Sequence, residues 1–535
     1  MHSFFIQYIF LILIILALVM ISDRLRLPYP IVLVVGGLAL SFTNQFSHIA
    51  IDPELVFFIF LPPLLYEAAW QISWKEFWKW RRVIGSFAFV IVIITASVIA
   101  FAAQAIIPGF TLALGFLLGG IISPPDAISA TTIMRRVNVP KSLVSIAEGE
   151  SLLNDASSLV VFRFAVVAIL TGRFYIQEAA ATFVLVIAGG VAVGLALGFV
   201  FYQIHRRLRT STSTEIVLTL VTPYCLYYFA EQFHVSGVLA VVTGGLFLSS
   251  RRQRLLDFKS RIQGVNVWAN LVFVLNGLVF MLIGLQLPAV VQQLGDTSLA
   301  SAIRYALIIS GVLIVSRLIC TLCSSAFTRF ISRFITVADA HPGWRNPLIL
   351  GWAGMRGVVS LAAALSIPLV TNEGQPFPYR NLILFITFTV ILVTLVFQGL
   401  TLPWLIRTVH PEDKYTAISE HQQEILIQKK TVEAALQLLD EKYAKERQEN
   451  EHLNNFFRRL EIDLRSLDHE LNSHHHDTNS LGRFRAVYLE VLEQQRMLLD
   501  EMNQSRDFDE ELIRKYLSLI DFEEFRMREE LLHEK

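Results

Sequence analysis

The chain has 535 residues, of which 54% are hydrophobic and only 17% charged, whereas a soluble protein of this length would carry about a quarter charged residues. The formal net charge is zero, so global charge points to no nucleic-acid partner. Charge is also unevenly spread: residues 1–408 hold long apolar runs, and 409–535 are dense in Glu, Lys, Arg, Asp and Gln. This division predicts a transmembrane domain over 1–408 and a helical cytoplasmic C-terminal domain over 409–535.

A bilayer span needs roughly 20 mostly apolar residues. Segments near 4–22, 28–44, 53–72, 83–107, 110–134, 148–171, 178–204, 213–231, 235–250, 265–289, 302–328, 345–370 and 379–407 qualify, which predicts an all-α polytopic membrane protein of about 13 transmembrane helices. The first of them lacks a basic start and a small-residue cleavage site, so it is expected to be a retained span. With the N-terminus outside, the inner loops hold Arg24 and Arg26; Lys75, Lys79, Arg81 and Arg82; Arg135, Arg136 and Lys141. Arg206, Arg207 and Arg209, then Arg251, Arg252, Arg254, Lys259 and Arg261, and finally Arg329, Arg333 and Arg345 continue the pattern. The outer loops and their edges hold only Arg173, Arg304 and Arg380. This asymmetry follows the positive-inside rule, and an odd number of spans puts the polar tail in the cytoplasm.

An ionised side chain at mid-bilayer costs at least about 2.5–3.5 kcal/mol, so each one needs a reason. In the third span, Pro62 and Pro63 predict a kink, and Trp70, Trp74, Trp78 and Trp80 beside Lys75 and Lys79 read as interface anchors. In the fifth, Pro124 and Pro125 cannot donate backbone hydrogen bonds and should break the helix just before Asp126. Irregular backbone at membrane depth survives only against protein or a water-filled cavity. A broken helix carrying a carboxylate, with Ser123 and Ser129 nearby, reads as an ion site; the alternative is a plain proline kink with a solvated Asp.

The sixth segment places Glu150 four residues before Asn154 and Ser151 four before Asp155, which forms one polar helical stripe continued by Ser157 and Ser158. A helix start still in water would explain Glu148, but it suits Asp155 poorly, about two turns further in. Arg163 is expected near the outer end of this helix, snorkelling, with no role. Arg317 stands mid-segment in the eleventh span and should have an acidic partner, for which Glu150 is the candidate. Arg356 sits among three glycines in Gly351-Trp-Ala-Gly-Met-Arg-Gly, a second interrupted span. Paired broken spans, one in each half, are the pointer to a transporter site between inverted repeats. Cys320 and Cys323 lie one turn apart on one apolar segment with no second pair nearby, so they read as small hydrophobic residues.

Ser-Pro-Pro-Asp (123–126), Glu-Gly-Glu-Ser-Leu-Leu-Asn-Asp-Ala (148–156) and Gly-Met-Arg-Gly (354–357) resemble the monovalent cation/proton antiporters that include NhaP-type and sodium/hydrogen exchangers. Phe-Leu-Pro-Pro-Leu-Leu-Tyr-Glu-Ala (60–68) and Phe-Gln-Gly-Leu-Thr (397–401) fit the same family, and the similarity covers about residues 5–408. The resemblance implies inverted repeats with two crossing unwound helices, a core beside a dimerisation subdomain, and a homodimer embedded among membrane lipids. It implies secondary active exchange of Na+, or of K+ or Li+, for H+ by alternating access, in pH and cation homeostasis, with no cofactor and no metal beyond the transported cation. Asp155 is then the ion- or proton-binding carboxylate, helped by Asp126, Asn154, Ser151 and the backbone at Pro125. Glu150 and Arg317 match the family's structural ion pair, and Arg356 an Arg beside the second break. Where the family has Thr-Asp or Val-Asp, this chain has Pro125-Asp126, so a hydroxyl ligand is missing there. Asn at 154, where a second acid would add a charge, implies one-for-one electroneutral exchange.

A cation channel would need rings of charge or carbonyls along a pore. An intramembrane aspartyl protease would need Gly-x-Gly-Asp around one acid, and neither Asp126 nor Asp155 has it. A membrane ion sensor would signal through its tail, which carries no recognisable catalytic motif. The tail predicts helices near 413–470 and 482–532 joined by a turn holding His474, His475 and His476, and it is a place for a regulatory ligand or protein. Short loops suit a bacterial plasma membrane.

Overall fold

The computed structural model describes residues 2–25, 27–43, 58–137, 139–172, 176–207, 211–292, 294, 297–334, 337–339, 342–372, 374–411, 420–472, 478–504 and 510–532. Arg26, Arg173, Arg209 and the three histidines His474, His475 and His476 fall outside them. Among the described residues no β-strand occurs, only an isolated bridge between Val370 and Pro376. The chain divides into two compact units, Met1–Glu412 and Asp413–Lys535.

The first unit opens with α1 (His2–Leu25), α2 (Tyr29–Ser41), α3 (Leu61–Gln71) and the long α4 (Trp74–Ile106). Next come α5 (Leu112–Ile122), α6 (Ala127–Arg136), α7 (Lys141–Thr171), α8 (Ile176–Arg207), α9 (Thr212–Gln232) and α10 (Gly237–Ser249). A short turn leads to α11 (Phe258–Gln292), α12 (Leu299–Ile331), α13 (Arg345–Trp352), α14 (Val358–Leu365) and α15 (Arg380–Val409). Each of the 13 expected segments overlaps a helix, but 7 helices among the described residues are long and apolar enough to cross a bilayer. Tyr29–Ser41 and Gly237–Ser249, at 13 residues each, fall short of the roughly 20 a crossing needs.

Local chemistry sets several helix starts. The side chains of Ser73, Thr111, Ser211, Ser236 and Ser298 accept the N–H three residues on and so satisfy orphan donors of the first turn. The Ser73 cap carries α4 back to Trp74, nine residues before the expected 83–107. Trp74 and Trp78 stack at 5.6 Å on its exposed side, whereas Trp80 is buried and donates to Glu76 Oε2 at 3.1 Å. Trp80 is thus a packing residue and not an interface anchor. Pro62 and Pro63 occupy the first turn of α3, where a missing N–H costs nothing, and so they begin that helix. Pro140 likewise starts α7 at Lys141 and leaves Glu148 two turns inside it, not at its first turn.

The helices pack as two bundles. One holds α1, α2, α3, α8, α9, α10 and α11, with α11 lying along α2. The other holds α4, α5, α6, α7, α12, α13, α14 and α15, with α5 wedged between α4 and α7. A π-helical turn interrupts α4 at Ser86–Ile91 and another interrupts α15 at Thr394–Gln398. Such turns free single carbonyls and reorient side chains. Both lie in the second bundle, beside the interrupted helices described below.

In the second unit, the expected helix near 413–470 is three pieces, Glu420–Lys442, Ala444–Glu449 and Glu451–Asn472. The later region forms Thr478–Gln504 and Glu510–Leu532. Lys429 reaches Asp468 at 2.6 Å across the first pair of long helices, and Arg496 reaches Asp521 at 2.7 Å across the second.

Candidate functional site

Two helices of the second bundle are interrupted at matching depth. The α5–α6 segment loses helical form over 123–126, where Pro124 and Pro125 offer no N–H, and the α13–α14 segment loses it over 353–357. The two breaks cross. The Asp126 N–H donates to Met355 O at 2.6 Å. From the other strand, Arg356 Nε donates to Ile122 O at 2.8 Å and Nη2 to Ser123 O at 3.1 Å. These are last-turn carbonyls of α5, which have no helical partner and form the negative end of the helix dipole. Arg356 is wholly buried and also donates to Gly354 O, while its own N–H goes to Thr394 Oγ1 in the π turn at 3.2 Å. Its charge is therefore met by carbonyl oxygens, and no carboxylate among the described residues pairs with it.

Asp126 ends the first break as the N-cap of α6. Its Oδ1 accepts the Ile128 N–H at 3.1 Å and its Oδ2 the Ser129 hydroxyl at 2.9 Å. A methyl on Gly357 would stand 2.5 Å from Asp126 Oδ2, so only glycine lets the second break approach that carboxylate.

Helix α7 runs past the crossing and locks it. Ser151 Oγ accepts the Ala127 N–H at 3.2 Å, and Asn154 Nδ2 donates to Pro125 O at 3.0 Å. Ser157 Oγ donates to Ala88 O at 2.6 Å, a carbonyl of the π turn in α4. Asp155, 6% exposed, receives no donor among the described residues, and with Asp126 and Ser151 it lines a cavity of about 280 Å³. One turn earlier, Glu150 and Arg317 form a buried two-pronged pair, Nη1 to Oε1 at 2.8 Å and Nη2 to Oε2 at 2.9 Å. Arg317 Nη2 also reaches Leu350 O at 3.4 Å, which ties α7, α12 and α13 together.

The cavity runs between the bundles to a mouth at Glu67, Gln71, Arg135 and Glu148. Glu148 accepts from Arg135 at 2.7 Å and lies about 10 Å along α7 from Asp155 at 1.5 Å per residue. A second cavity, about 590 Å³, lies toward the other end of α7, from Ala156 to Arg163. Arg163 there donates to both oxygens of Glu231 on α9, at 3.2 and 2.9 Å. That pair joins the bundles, so Arg163 does more than the snorkelling expected of it.

The structure thus gathers Asp126, Ser151, Asn154, Asp155 and the Pro125 carbonyl around one crossing, with Glu150, Arg317 and Arg356 behind it. Sequence reasoning missed Thr394 and Asn276. Thr394 had no local signal. Asn276 did: it is an amide in the middle of an otherwise apolar run.

Crossed interrupted helices with buried acids and bases, inside an all-helical apolar unit, define a polytopic membrane protein with a transporter-type centre. A family model described as "Sodium/hydrogen exchanger, transmembrane" matches residues 9–408, and the chain belongs to that family. A Bacillus pumilus (strain SAFR-032) protein named "Sodium, potassium, lithium and rubidium/H(+) antiporter" is 35% identical over 408 residues, covering 74% of this chain and 60% of that protein. The chain thus spans about 60% of the length of the Bacillus relatives it matches. An Escherichia coli (strain K12) protein, "Uncharacterized Na(+)/H(+) exchanger YjcE", is 31% identical over 528 residues, 94% of this chain and 95% of that one. The solved sodium proton antiporter MjNhaP1 of Methanocaldococcus jannaschii, at pH 8, aligns with a TM-score of 0.57 and 19% identity over 76% of this chain and 99% of that chain. At that identity the likeness concerns the fold.

Proposed function

We propose that this chain is a secondary active antiporter that exchanges a monovalent alkali cation, Na+ first with K+ and Li+ as the alternatives, for H+. The observation that carries the reading is Asp155: a carboxylate with no protein donor among the described residues, beside Asp126, on the wall of a cavity that opens past Glu148. A carboxylate that can hold either a proton or a cation, but not both, couples the two fluxes. Oxygen ligands from Asp155, Asp126 and Ser151 suit a hard cation that must shed part of its water. Asn154 Nδ2 and the Pro125 carbonyl pair with each other and act as positioning groups. Glu150, Arg317 and Arg356 hold the crossing in shape. The cavities on the two sides of Asp155 both lie between the bundles, the second spanned by the Arg163–Glu231 pair, and they support alternating access, in which the second bundle moves against the first. Among the described residues nothing favours the channel reading, which would need a ring of charge or carbonyls.

The same reading takes the protein to work as a homodimer in a bacterial plasma membrane, crossing it about 13 times in pH and cation homeostasis. The N-terminus is then outside, the cavity and the tail face the cytoplasm, and a ligand or protein at the tail regulates exchange. Exchange is one-for-one, since position 154 adds no second carboxylate.

Purified protein in liposomes with a lumenal pH dye tests it. A preset pH gradient is challenged with Na+, K+ or Li+, with and without an imposed membrane potential. One or more cations should collapse the gradient in the wild type and not in Asp155→Asn, at a rate indifferent to potential. An Asp155→Asn protein as active as wild type sinks the carrier assignment, and transport driven by potential alone sinks electroneutrality.

A further inference from the structure

Asn276 has no place in the machinery described so far. It stands midway along α11, on the wall of the cavity opposite the crossing, and it is 3% exposed. Its Oδ1 has no hydrogen-bond partner among the described residues. A buried amide oxygen left unpaired costs about 1–3 kcal/mol, so it calls for a water or an ion that the protein itself does not supply. Its neighbours along the helix, Leu275, Gly277 and Leu278, offer no side-chain donor. The cavity it lines also holds Asp126, Ser151 and Asp155, so the transient occupant is whatever those oxygens bind.

The oxygens at the crossing are partly committed. Asp126 already accepts from Ile128 and Ser129, Ser151 from Ala127, and the Pro125 carbonyl from Asn154, while Asn154 Oδ1 and Ser123 Oγ have no partner among the described residues. A partly dehydrated alkali cation held by Asp155 takes several oxygens in its shell. A neutral carboxamide oxygen from the facing bundle can complete the shell, directly or through one water, without changing the charge count of the exchange.

Resting on the antiporter reading above, we infer that Asn276 is a specificity residue: it supplies a neutral oxygen to the transported cation only while the cavity is open past Glu67 and Glu148. Helix α11 lies chiefly along α2, with smaller contacts to α1, α3 and α9 and to α14 and α15 of the other bundle, whereas Asp126 and Asp155 belong to that other bundle. When the bundles move against each other, Asn276 stays with the first bundle and loses the cation. It therefore sets affinity on one face of the membrane and leaves the other untouched.

The test measures cation-driven proton flux in proteoliposomes of known orientation, with cation added to either face, for wild type, Asn276→Leu and Asn276→Gln. Asn276→Leu, close in volume, should raise the half-saturating cation concentration about tenfold on the face to which the cavity opens, the equivalent of one lost cation–oxygen contact. The opposite face and the maximal rate should be unchanged, and the Na+ to K+ preference should shift. Asn276→Gln keeps the amide oxygen on a longer stem and should recover part of the affinity. Equal shifts on both faces, or no shift on either, overturn the inference, the first because it marks a structural role. Should wild type itself exchange no cation, the antiporter reading fails first. Should wild type exchange normally while Asn276→Leu behaves identically, only the Asn276 assignment falls.

Discussion

At 123–126 the chain breaks through two prolines and presents an acid; at 353–357 it breaks among glycines and presents a base. The proline break removes donors and leaves carbonyls, and both kinds of carbonyl find an outside donor. Ile122 and Ser123 take the Arg356 guanidinium, while Pro125 takes the Asn154 amide. The glycine break removes side chains and keeps its donors, so backbone can come within reach of Asp126, with the Met355 carbonyl accepting its N–H. Each break thus supplies what the other lacks. A buried Arg paired with no carboxylate among the described residues is tolerated because it caps a helix C-terminus, and the carboxylates are left for the cavity.

Removing the donor that fills the proline break should have the largest effect. Arg356→Ala strands the Ile122 and Ser123 carbonyls and empties a large buried volume, at a cost of about 3–5 kcal/mol. Thermal unfolding in detergent should shift down by many degrees, with Arg356→Lys between the two. An unshifted melting profile would show that the carbonyls are satisfied without the guanidinium.

Next in size is the pair behind the crossing. Glu150→Leu leaves Arg317 buried and uncompensated, again at about 3–5 kcal/mol. The double variant Glu150→Leu with Arg317→Leu should recover much of that melting temperature, because an apolar pair replaces both charges. A double variant less stable than the single one contradicts the account.

Gly357→Ala tests the glycine break. Its methyl would stand 2.5 Å from Asp126 Oδ2, so the half-saturating cation concentration should rise about tenfold while stability falls by about 1–3 kcal/mol, less than in the two variants above. Wild-type affinity in that variant would mean that Asp126 lies away from the cation path.

Smallest of all is Pro125→Ala, which keeps the carbonyl that Asn154 uses. Transport should change less than about threefold, a shift under 1 kcal/mol. A loss as deep as that of Asp155→Asn would assign the ring itself a role the hydrogen bonds do not reveal.

Much of the site was legible residue by residue, because charge inside an apolar run needs a reason and prolines at 124 and 125 forbid a continuous helix. Glu150 was named for Arg317 by the same argument, since a guanidinium so deep requires an acid, and the two are 2.8 Å apart. Arg356 followed a different rule that no local pattern announces: two of its partners are main-chain carbonyls more than 230 positions away. Helix ends were read less well where caps decide them. Ser73 began α4 well before the apolar run did, because capping acts on backbone donors whatever the hydropathy that follows, and Pro140 stands just ahead of α7 with no side-chain cap.

By itself, then, the sequence determined an all-helical, apolar unit of 400-odd residues, the charged tail after it, the two interruptions and the residues that had to be buried with partners. Hydropathy, helix periodicity and the missing N–H of proline are local properties, and they survive any packing. Tertiary structure alone decided which carbonyls Arg356 caps, that Arg163 on α7 meets Glu231 on α9, and that Asn276 lines the same cavity as Asp155 and Asp126. Those pairings depend on how helices far apart in the chain lie against each other, and a helix's own sequence carries its exposed face but not the name of the helix that will cover it.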